Sequence, residues 1–393
     1  MKIMSINAGS SSLKFSLFDM TSKTCIASGY FERVTLPNSF YTIKYNGEKI
    51  KEEVEMPNHT VAVEVLLDRL ISLNIISSLD EIDGIGHRLV HGADKYNKSV
   101  IITDEVIEDL KKYIPLAPLH NPANILGIEA VKKALPNVKM VGVFDTAFHQ
   151  TMEEVNYIYP VPYEWYTNYK VRKYGFHGTS HCYISKQIPR ILGKDNYKAI
   201  ICHLGSGGSL SLVENGKCLD TTMGFTPLAG IMMGTRSGDV DPSIIPYVME
   251  NTNKSLDEVM NDLNKKSGFL GLSGEYSDFR DIYAGVKEGN ERCTLAFNKY
   301  VDTVVKYIAE YYVEANGVDM IVFTAGLGEN ASEAREVIVN KLNCLGIYLD
   351  NEANKVRGEE IKISSDDSKV LLYVIPTNEE LMIAEDTLEL IGE

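Results

Sequence analysis

The 393-residue chain has no apolar run approaching the about 20 residues that span a bilayer, and its first residues read as a strand rather than a signal-peptide core. No membrane contact is expected, and the expected location is cytoplasmic. Its six cysteines, Cys25, Cys182, Cys202, Cys218, Cys293 and Cys344, include no Cys-x-x-Cys pair, so neither a zinc site nor a disulfide framework is indicated. No Pro-rich or low-complexity linker divides the chain, so a domain boundary must lie within packed structure. The Walker A motif and the protein-kinase signature set are both missing. Positive charge is outnumbered as well: a formal net charge of -15 argues against nucleic acid as partner, which needs a basic face, and makes any basic cluster informative.

What the chain does have is a repeat. Ile3-Met-Ser-Ile-Asn-Ala-Gly-Ser-Ser-Ser-Leu-Lys-Phe-Ser-Leu-Phe18 and Ala199-Ile-Ile-Cys-His-Leu-Gly-Ser-Gly-Gly-Ser-Leu-Ser-Leu-Val213 share one pattern, half the chain apart. In each, a short apolar run meets a Gly/Ser turn and leaves as alternating apolar and polar residues. This predicts two β-hairpins whose loops present backbone N–H and hydroxyl donors to phosphate. With 44% hydrophobic residues, the chain can bury two cores, one for each copy.

Coarse patterning supports an α/β reading. Strands are predicted at 40–45, closing at Asn46-Gly47, near 82–85, at 138–144, 199–202, 320–324 and 370–375. A helix is predicted from Val61 to Leu73 with Val61, Val65, Leu66, Leu70 and Leu73 on its buried face, and the capping box Ser255-Leu-Asp-Glu258 announces another. Strands alternating with helices place ligand sites at strand ends. The boundary between halves is expected just after Asp145.

Several segments then carry chemistry. Gly86-His-Arg-Leu-Val-His-Gly92 sets Arg88 in a stretch bounded by glycine, where a planar guanidinium suits a carboxylate or phosphoryl group. Met232-Met-Gly-Thr-Arg-Ser-Gly-Asp-Val-Asp241 sets Arg236 in a similar turn beside two aspartates. Asp145 ends an apolar strand, where a carboxylate holds a cation or orients a nucleophile, or merely caps a turn. His177 lies next to glycine in a run read as having little apolar content to bury. Ile321-Val-Phe-Thr-Ala-Gly-Leu-Gly-Glu-Asn330 reads as strand, glycine turn, then a helix from about Ser332, which lets backbone approach a nucleotide. Thr377 and Glu380 fit a capping box for the last helix, with Leu381, Leu388 and Ile391 buried, leaving Glu379 as a second carboxylate associated with Mg²⁺. The inventory fits phosphoryl transfer.

At this point the order and spacing of the blocks resemble the acetate and propionate kinase family. The blocks are Asn7-Ala-Gly-Ser-Ser-Ser-Leu-Lys14, Gly86-His-Arg88, Pro118-Leu-His-Asn-Pro122, Phe144-Asp-Thr-Ala-Phe-His149, Tyr174-Gly-Phe-His-Gly-Thr-Ser-His181, Met233-Gly-Thr-Arg-Ser-Gly-Asp239, Gly326-Leu-Gly-Glu-Asn330 and Pro376-Thr-Asn-Glu-Glu380. The resemblance covers essentially the whole chain. It implies duplicated actin-like, ribonuclease H-like domains, with mixed β-sheets flanked by helices and an active site in the interdomain cleft. The expected division is 1–147 plus 381–393 against 148–380.

The resemblance further implies reversible transfer of the ATP γ-phosphoryl group to acetate, giving acetyl phosphate and ADP with Mg²⁺, or Mn²⁺ in its place, in a homodimer. Arg88, Asp145, His177 and Arg236 would be catalytic, and Asn7 and Glu379 would position the metal. Ser10, Ser12 and Lys14 would line the first phosphate hairpin, and His203, Gly205, Ser206, Gly207 and Gly208 the second. Asp278, Phe279 and Arg280, with Gly326, Leu327, Gly328, Glu329 and Asn330, would hold adenosine. Val90, Leu119, Phe176 and Pro227 would form a small apolar pocket sized for a methyl group. Ser206 departs from the asparagine common in that family, which leaves a pyrophosphate donor as an alternative to ATP. Propionate or butyrate kinase activity and a catalytically silent nucleotide-binding protein are the remaining rivals. The silent protein should have lost Arg88, Asp145, His177 or Arg236, and all four are present.

Overall fold

Alternation along one central strand shows how the first half is layered. In the computed structural model, which describes residues 1–118 and 120–392, Met4 and Ile6 of the strand Lys2–Gly9 enter one hydrophobic core while Ile3 enters another on the opposite face. Both faces of this strand are covered, as a parallel neighbour requires. The described residues divide into two compact units, Met1–Gln150 with Asn378–Glu393, and Thr151–Thr377. Among them, no helix is long and apolar enough to cross a membrane.

The first unit holds β1 (Lys2–Gly9), β2 (Ser12–Asp19), β3 (Thr24–Glu32), β4 (Phe40–Tyr45), β5 (Glu48–Glu53), β6 (Ile82–Leu89), β7 (Val100–Ile101) and β8 (Lys139–Phe144), in the order β5-β4-β3-β2-β1-β6-β8-β7. The second holds β9 (Lys198–Leu204), β10 (Gly208–Glu214), β11 (Lys217–Thr221), β12 (Met320–Thr324), β13 (Ile361–Lys362) and β14 (Leu371–Val374), in the order β11-β10-β9-β12-β14-β13. The run β3-β2-β1-β6-β8-β7 therefore repeats as β11-β10-β9-β12-β14-β13. Each step agrees in sense: antiparallel, antiparallel, parallel, parallel, antiparallel. Two mixed sheets flanked by helices bear out the duplicated α/β expectation, and both Gly/Ser hairpins are present as β1/β2 and β9/β10.

Glycines on β6 decide what can lie against it. Gly84 and Gly86 share a face with Arg88, while Ile85, His87 and Leu89 point to the other. A Cβ on Gly84 would come 2.6 Å from Ile391 Cδ1, and one on Gly86 would meet Thr387 and Ile383 inside van der Waals contact. Both obstacles belong to the helix Glu379–Gly392, which buries Met382, Ile383, Ala384, Thr387 and Ile391. The two glycines thus let this helix settle directly on the strand.

Four local expectations need correction. The helix runs His59–Ser72, started early by Asn58, whose side chain accepts from the Val61 N–H. Its buried face is Ala62, Val63, Leu66, Leu67 and Leu70 rather than the stripe through Val61 and Leu73, because Ala62 and Val63 complete the i, i+4 rows with Leu66 and Leu67. The strand expected to end near Ile85 continues to Leu89, since Gly86 is a packing residue within the strand and not its boundary. The last helix is capped by Asn378, whose side chain accepts from the Leu381 N–H at 3.0 Å, and not by Thr377. Finally, residues Ala325–Asn330 are themselves helical rather than a glycine turn. Ala325 leaves β12 in the left-handed region, φ 65°, and the Glu329 carboxylate accepts its N–H at 2.8 Å. That bond ties the first and last turns of this short helix together. The Ser255/Glu258 capping box is present as expected.

Two outcomes follow for the first unit. Gly86→Ala should destabilise the protein by about 1–3 kcal/mol, the usual range for overpacking; chemical denaturation measures it, and a change within about 0.5 kcal/mol would contradict the close-approach account. His87 is buried with Nε2 unpartnered among the described residues, and burial holds its pKa down to about 3. Unfolding frees it to bind a proton below its ordinary value of about 6.5, so the contribution of His87 to stability falls as pH drops below that point. His87→Leu should flatten the decline in urea midpoint between pH 7.5 and 5, and an unchanged decline would refute the assignment.

Candidate active site

In the first unit, chemistry collects at the carboxyl ends of β6 and β8. Arg88, on β6, donates from Nε to Asp145 Oδ1 at 3.0 Å and from Nη2 to Oδ2 at 2.6 Å, a two-pronged pair. The Asp145 side chain is 2% exposed, and its carboxylate pushes the guanidinium pKa up. Both carboxylate oxygens are thus engaged by one arginine, an arrangement that fixes the guanidinium plane. Asp145 itself is anchored by its N–H on the Leu89 carbonyl at 2.8 Å.

A small cavity of about 20 Å³ lies beside this pair, lined by Asn7, Lys14, Arg88, Glu379 and Glu380 among others. Asn7 and Lys14 reach it because they are cross-strand partners on β1 and β2. Lys14 forms an ion pair with Glu380, so Glu380 faces the cavity rather than serving a capping box. Glu379 Oε1 is enclosed and has no hydrogen-bond partner among the described residues. Burial raises the Glu379 pKa to about 7; Arg88 opposes the rise, and Asp145 and Glu380 add to it. Ser10 and Ser12 stand exposed at the hairpin turn.

Val90 is buried, and its N–H donates to Asn124 Oδ1 at 3.1 Å, while Asn124 Nδ2 donates to the Ala8 carbonyl at 3.0 Å. Asn124 therefore ties the segment after β6 to the end of β1. The sequence reading missed it; the available signal was an amide of low helix propensity inside an apolar helix. Leu119 lies outside the described residues.

In the second unit, His177 stands in the left-handed region, φ 58°, immediately before the helix Gly178–Leu192. The run around it is not poor in buried apolar groups as expected: Tyr174 is fully buried and Phe176 is 3% exposed. His177 Nδ1 and His181 Nε2 lie 2.9 and 2.8 Å from the same Ser209 hydroxyl. His177 stacks on His203 with ring centroids 4.1 Å apart, and His203 Nδ1 lies 2.7 Å from Ser180 Oγ.

Arg236 is adjacent to the second hairpin: a Cβ on Gly207 would lie 2.6 Å from Arg236 Nη2 and 3.6 Å from His177 Nε2. Its Nη1 donates to the Pro227 carbonyl at 2.7 Å, and burial lowers its pKa. The two neighbouring aspartates are committed elsewhere. Asp239 accepts from the Gly230 N–H and the Tyr307 hydroxyl, and Asp241 from the Ser243 N–H.

A cavity of about 650 Å³ opens nearby, with Gly205, Ser206, Asp278, Phe279, Arg280, Gly326, Leu327 and Asn330 on its wall. Gly207, Gly208 and His203 are not part of that wall, and neither are Gly328 and Glu329. The Gly328 carbonyl accepts from Arg335 Nη1 at 2.8 Å, and Glu329 accepts from the backbone N–H groups of Ala325 and Thr377. Sequence reasoning missed Tyr283, Glu333 and Arg357, which also line it. Tyr283 and Glu333 stand three residues past Arg280 and Asn330, just outside those blocks, and Arg357 lies in no block, so only the fold brings them in.

Among the described residues, no group of three or more His, Cys, Asp and Glu side chains is arranged to hold a metal ion. A cation here would have to share its ligands with substrate oxygens, as Mg²⁺ does when it keeps only one or two protein carboxylates.

Known proteins match this chain along its length. Residues 2–385 match the Acetokinase family. The chain is 54% identical over 391 residues to an acetate kinase of Bacillus subtilis, covering 99% of each chain. Among solved structures, an acetate kinase of Porphyromonas gingivalis is 46% identical with a TM-score of 0.95 over 100% of both chains. A propionate kinase of Francisella tularensis is 41% identical with a TM-score of 0.94 over 99% of both. A match that spans nearly every residue and both sheets leaves one assignment: the chain belongs to the Acetokinase family.

Proposed function

We propose that this protein is an acetate kinase, transferring the γ-phosphoryl group of ATP reversibly to acetate to give acetyl phosphate and ADP. The observation that carries the reading is 54% identity to an acetate kinase over 99% of both chains. Arg88, Asp145, His177, Arg236 and Glu379 supply groups of the kind this transfer requires. The acceptor carboxylate is already ionised at neutral pH, so no general base is needed. The difficulty is bringing two anions together, and catalysis rests on positioning and charge.

Arg88, held flat by Asp145, offers paired donors to an anionic oxygen. Arg236, whose aspartate neighbours are committed elsewhere, offers a second cation, and His177 donates to the transferring phosphoryl group. The large cavity of the second unit receives ATP through Asp278, Phe279, Arg280 and the 326–330 helix. The enclosed, unpartnered Oε1 of Glu379 fits a cation, and Asn7 and Glu379 would hold Mg²⁺, or Mn²⁺ in its place. When bound, the metal draws negative charge from the phosphate oxygens. Val90, Leu119, Phe176 and Pro227 would set acyl size. The enzyme would be a cytoplasmic homodimer.

The hydroxylamine trap for acyl phosphate tests the reading. With purified protein, Mg²⁺, ATP and acetate, hydroxamate should form, and Arg88→Ala should lower kcat about 10²–10³-fold, as loss of one transition-state donor does elsewhere. Propionate should react less well, since one methylene discriminates by about 1–3 kcal/mol, and Val90→Ala should lower the propionate KM relative to that of acetate. Signal with pyrophosphate alone would assign a different donor through Ser206. No signal with any donor and acceptor would refute the reading.

A further inference from the structure

The Ser209 hydroxyl, fully buried on β10, lies 2.9 Å from His177 Nδ1 and 2.8 Å from His181 Nε2. The geometry brings the three together through the start of a helix and a strand pair. His177 precedes the helix Gly178–Leu192 in the left-handed region and its carbonyl accepts the His181 N–H at 3.0 Å, so both rings reach the same hydroxyl from the helix start. Ser209 pairs across strands with His203, which places its side chain on the same face of the sheet as the ring on which His177 stacks.

A hydroxyl has one proton to give. It can donate to one of the two rings and must accept from the other if both bonds are made. The opposite edge of His177, its Nε2, is directed towards Gly207 and the Arg236 guanidinium. Those groups surround the hairpin loop proposed to receive phosphate. A neutral histidine donates to a phosphate oxygen from Nε2 only if Nδ1 carries the lone pair, and the tautomer is set by the bond that the other nitrogen makes.

We propose that Ser209 is a positioning residue that donates its hydroxyl proton to His177 Nδ1, accepts the Nε2–H of His181, and thereby keeps the His177 proton on Nε2, aimed at the transferring phosphoryl group. His181 is the counterpart that makes this direction of donation self-consistent. The left-handed backbone of His177, uncommon for a residue with a side chain, is the strain tolerated to keep the ring between Ser209 and His203. The inference rests on the donor role proposed above for His177.

The test uses the full chain labelled with ¹⁵N in its histidine rings, with long-range proton–nitrogen spectra recorded at neutral pH. His177→Gln identifies the His177 pair among the eight histidines. In the unsubstituted protein, His177 should show a pyridine-type Nδ1 and a pyrrole-type Nε2. Ser209→Ala should shift it towards the Nδ1–H tautomer and lower kcat about tenfold, the scale typical of losing a partner that orients a functional histidine, with KM values within about twofold. Ser209→Thr, which retains the hydroxyl, should restore both signals. A His177 proton found on Nδ1 in the unsubstituted protein would overturn the proposal, and so would a Ser209→Ala variant with unchanged tautomer and kcat. A His177→Gln variant with full activity would instead remove the donor role of His177, which the tautomer spectra by themselves do not address.

Discussion

Two missing side chains govern the first unit. With hydrogen alone at Gly84 and Gly86, the helix Glu379–Gly392 lies directly on β6, and its first turn arrives beside Arg88, two residues along the same face. The last stretch of the chain is thereby packed into the unit built by the first. Any larger side chain at either position would lift the helix and carry Glu379 and Glu380 away from Asn7, Lys14 and Arg88. Because interiors pack at crystal-like density, such a shift has no slack to absorb it. The chemistry at this end of the sheet is therefore a consequence of a packing decision made by two glycines.

Charge is handled differently in the two units. Arg88 is neutralised and oriented by Asp145, whereas Arg236 rests on a carbonyl while its neighbouring aspartates are engaged with other groups. A half-buried guanidinium with no carboxylate partner among the described residues carries a desolvation cost that an arriving anion relieves, which suits a site for a substrate that brings its own negative charge. Glu379 presents the opposite case: a carboxyl group enclosed with one oxygen unpartnered and its pKa raised by burial to about 7. In a chain of net charge -15, Arg236 is a cation that no carboxylate among the described residues neutralises.

Much of this was legible in the sequence, and the rest was not for physical reasons. Turn chemistry is local, so both hairpins, the Asn46-Gly47 turn and the Ser255/Glu258 cap could be read directly. Pairings across long separations could not. Nothing near Arg88 in sequence points to Asp145, nothing near Gly86 announces the helix that covers it, and the Ser209 hydroxyl looks like any polar residue of an alternating strand. Glycine was the most misleading residue type. At 86 it reads as the edge of a strand and at 326–328 as a turn, yet it serves close packing on a strand in the first case and lies within a helix in the second. Thr377 fitted a cap by spacing, but the side chain that accepts the first-turn N–H is that of Asn378. Residues outside any motif, such as Asn124, Tyr283 and Arg357, join their sites only through the fold.

The central claim is that these groups position and neutralise two anions so that the carboxylate attacks phosphorus directly, without a phosphorylated side chain. Two residues could instead carry the phosphoryl group covalently, Glu379 through its unpartnered oxygen and His177 through a ring nitrogen. The stereochemical course at phosphorus separates the cases. With ATP made chiral at the γ-phosphorus by oxygen isotopes, a single direct displacement inverts configuration in acetyl phosphate, as this account predicts. Retention would require two displacements and an enzyme-bound phosphoryl intermediate, and would contradict it.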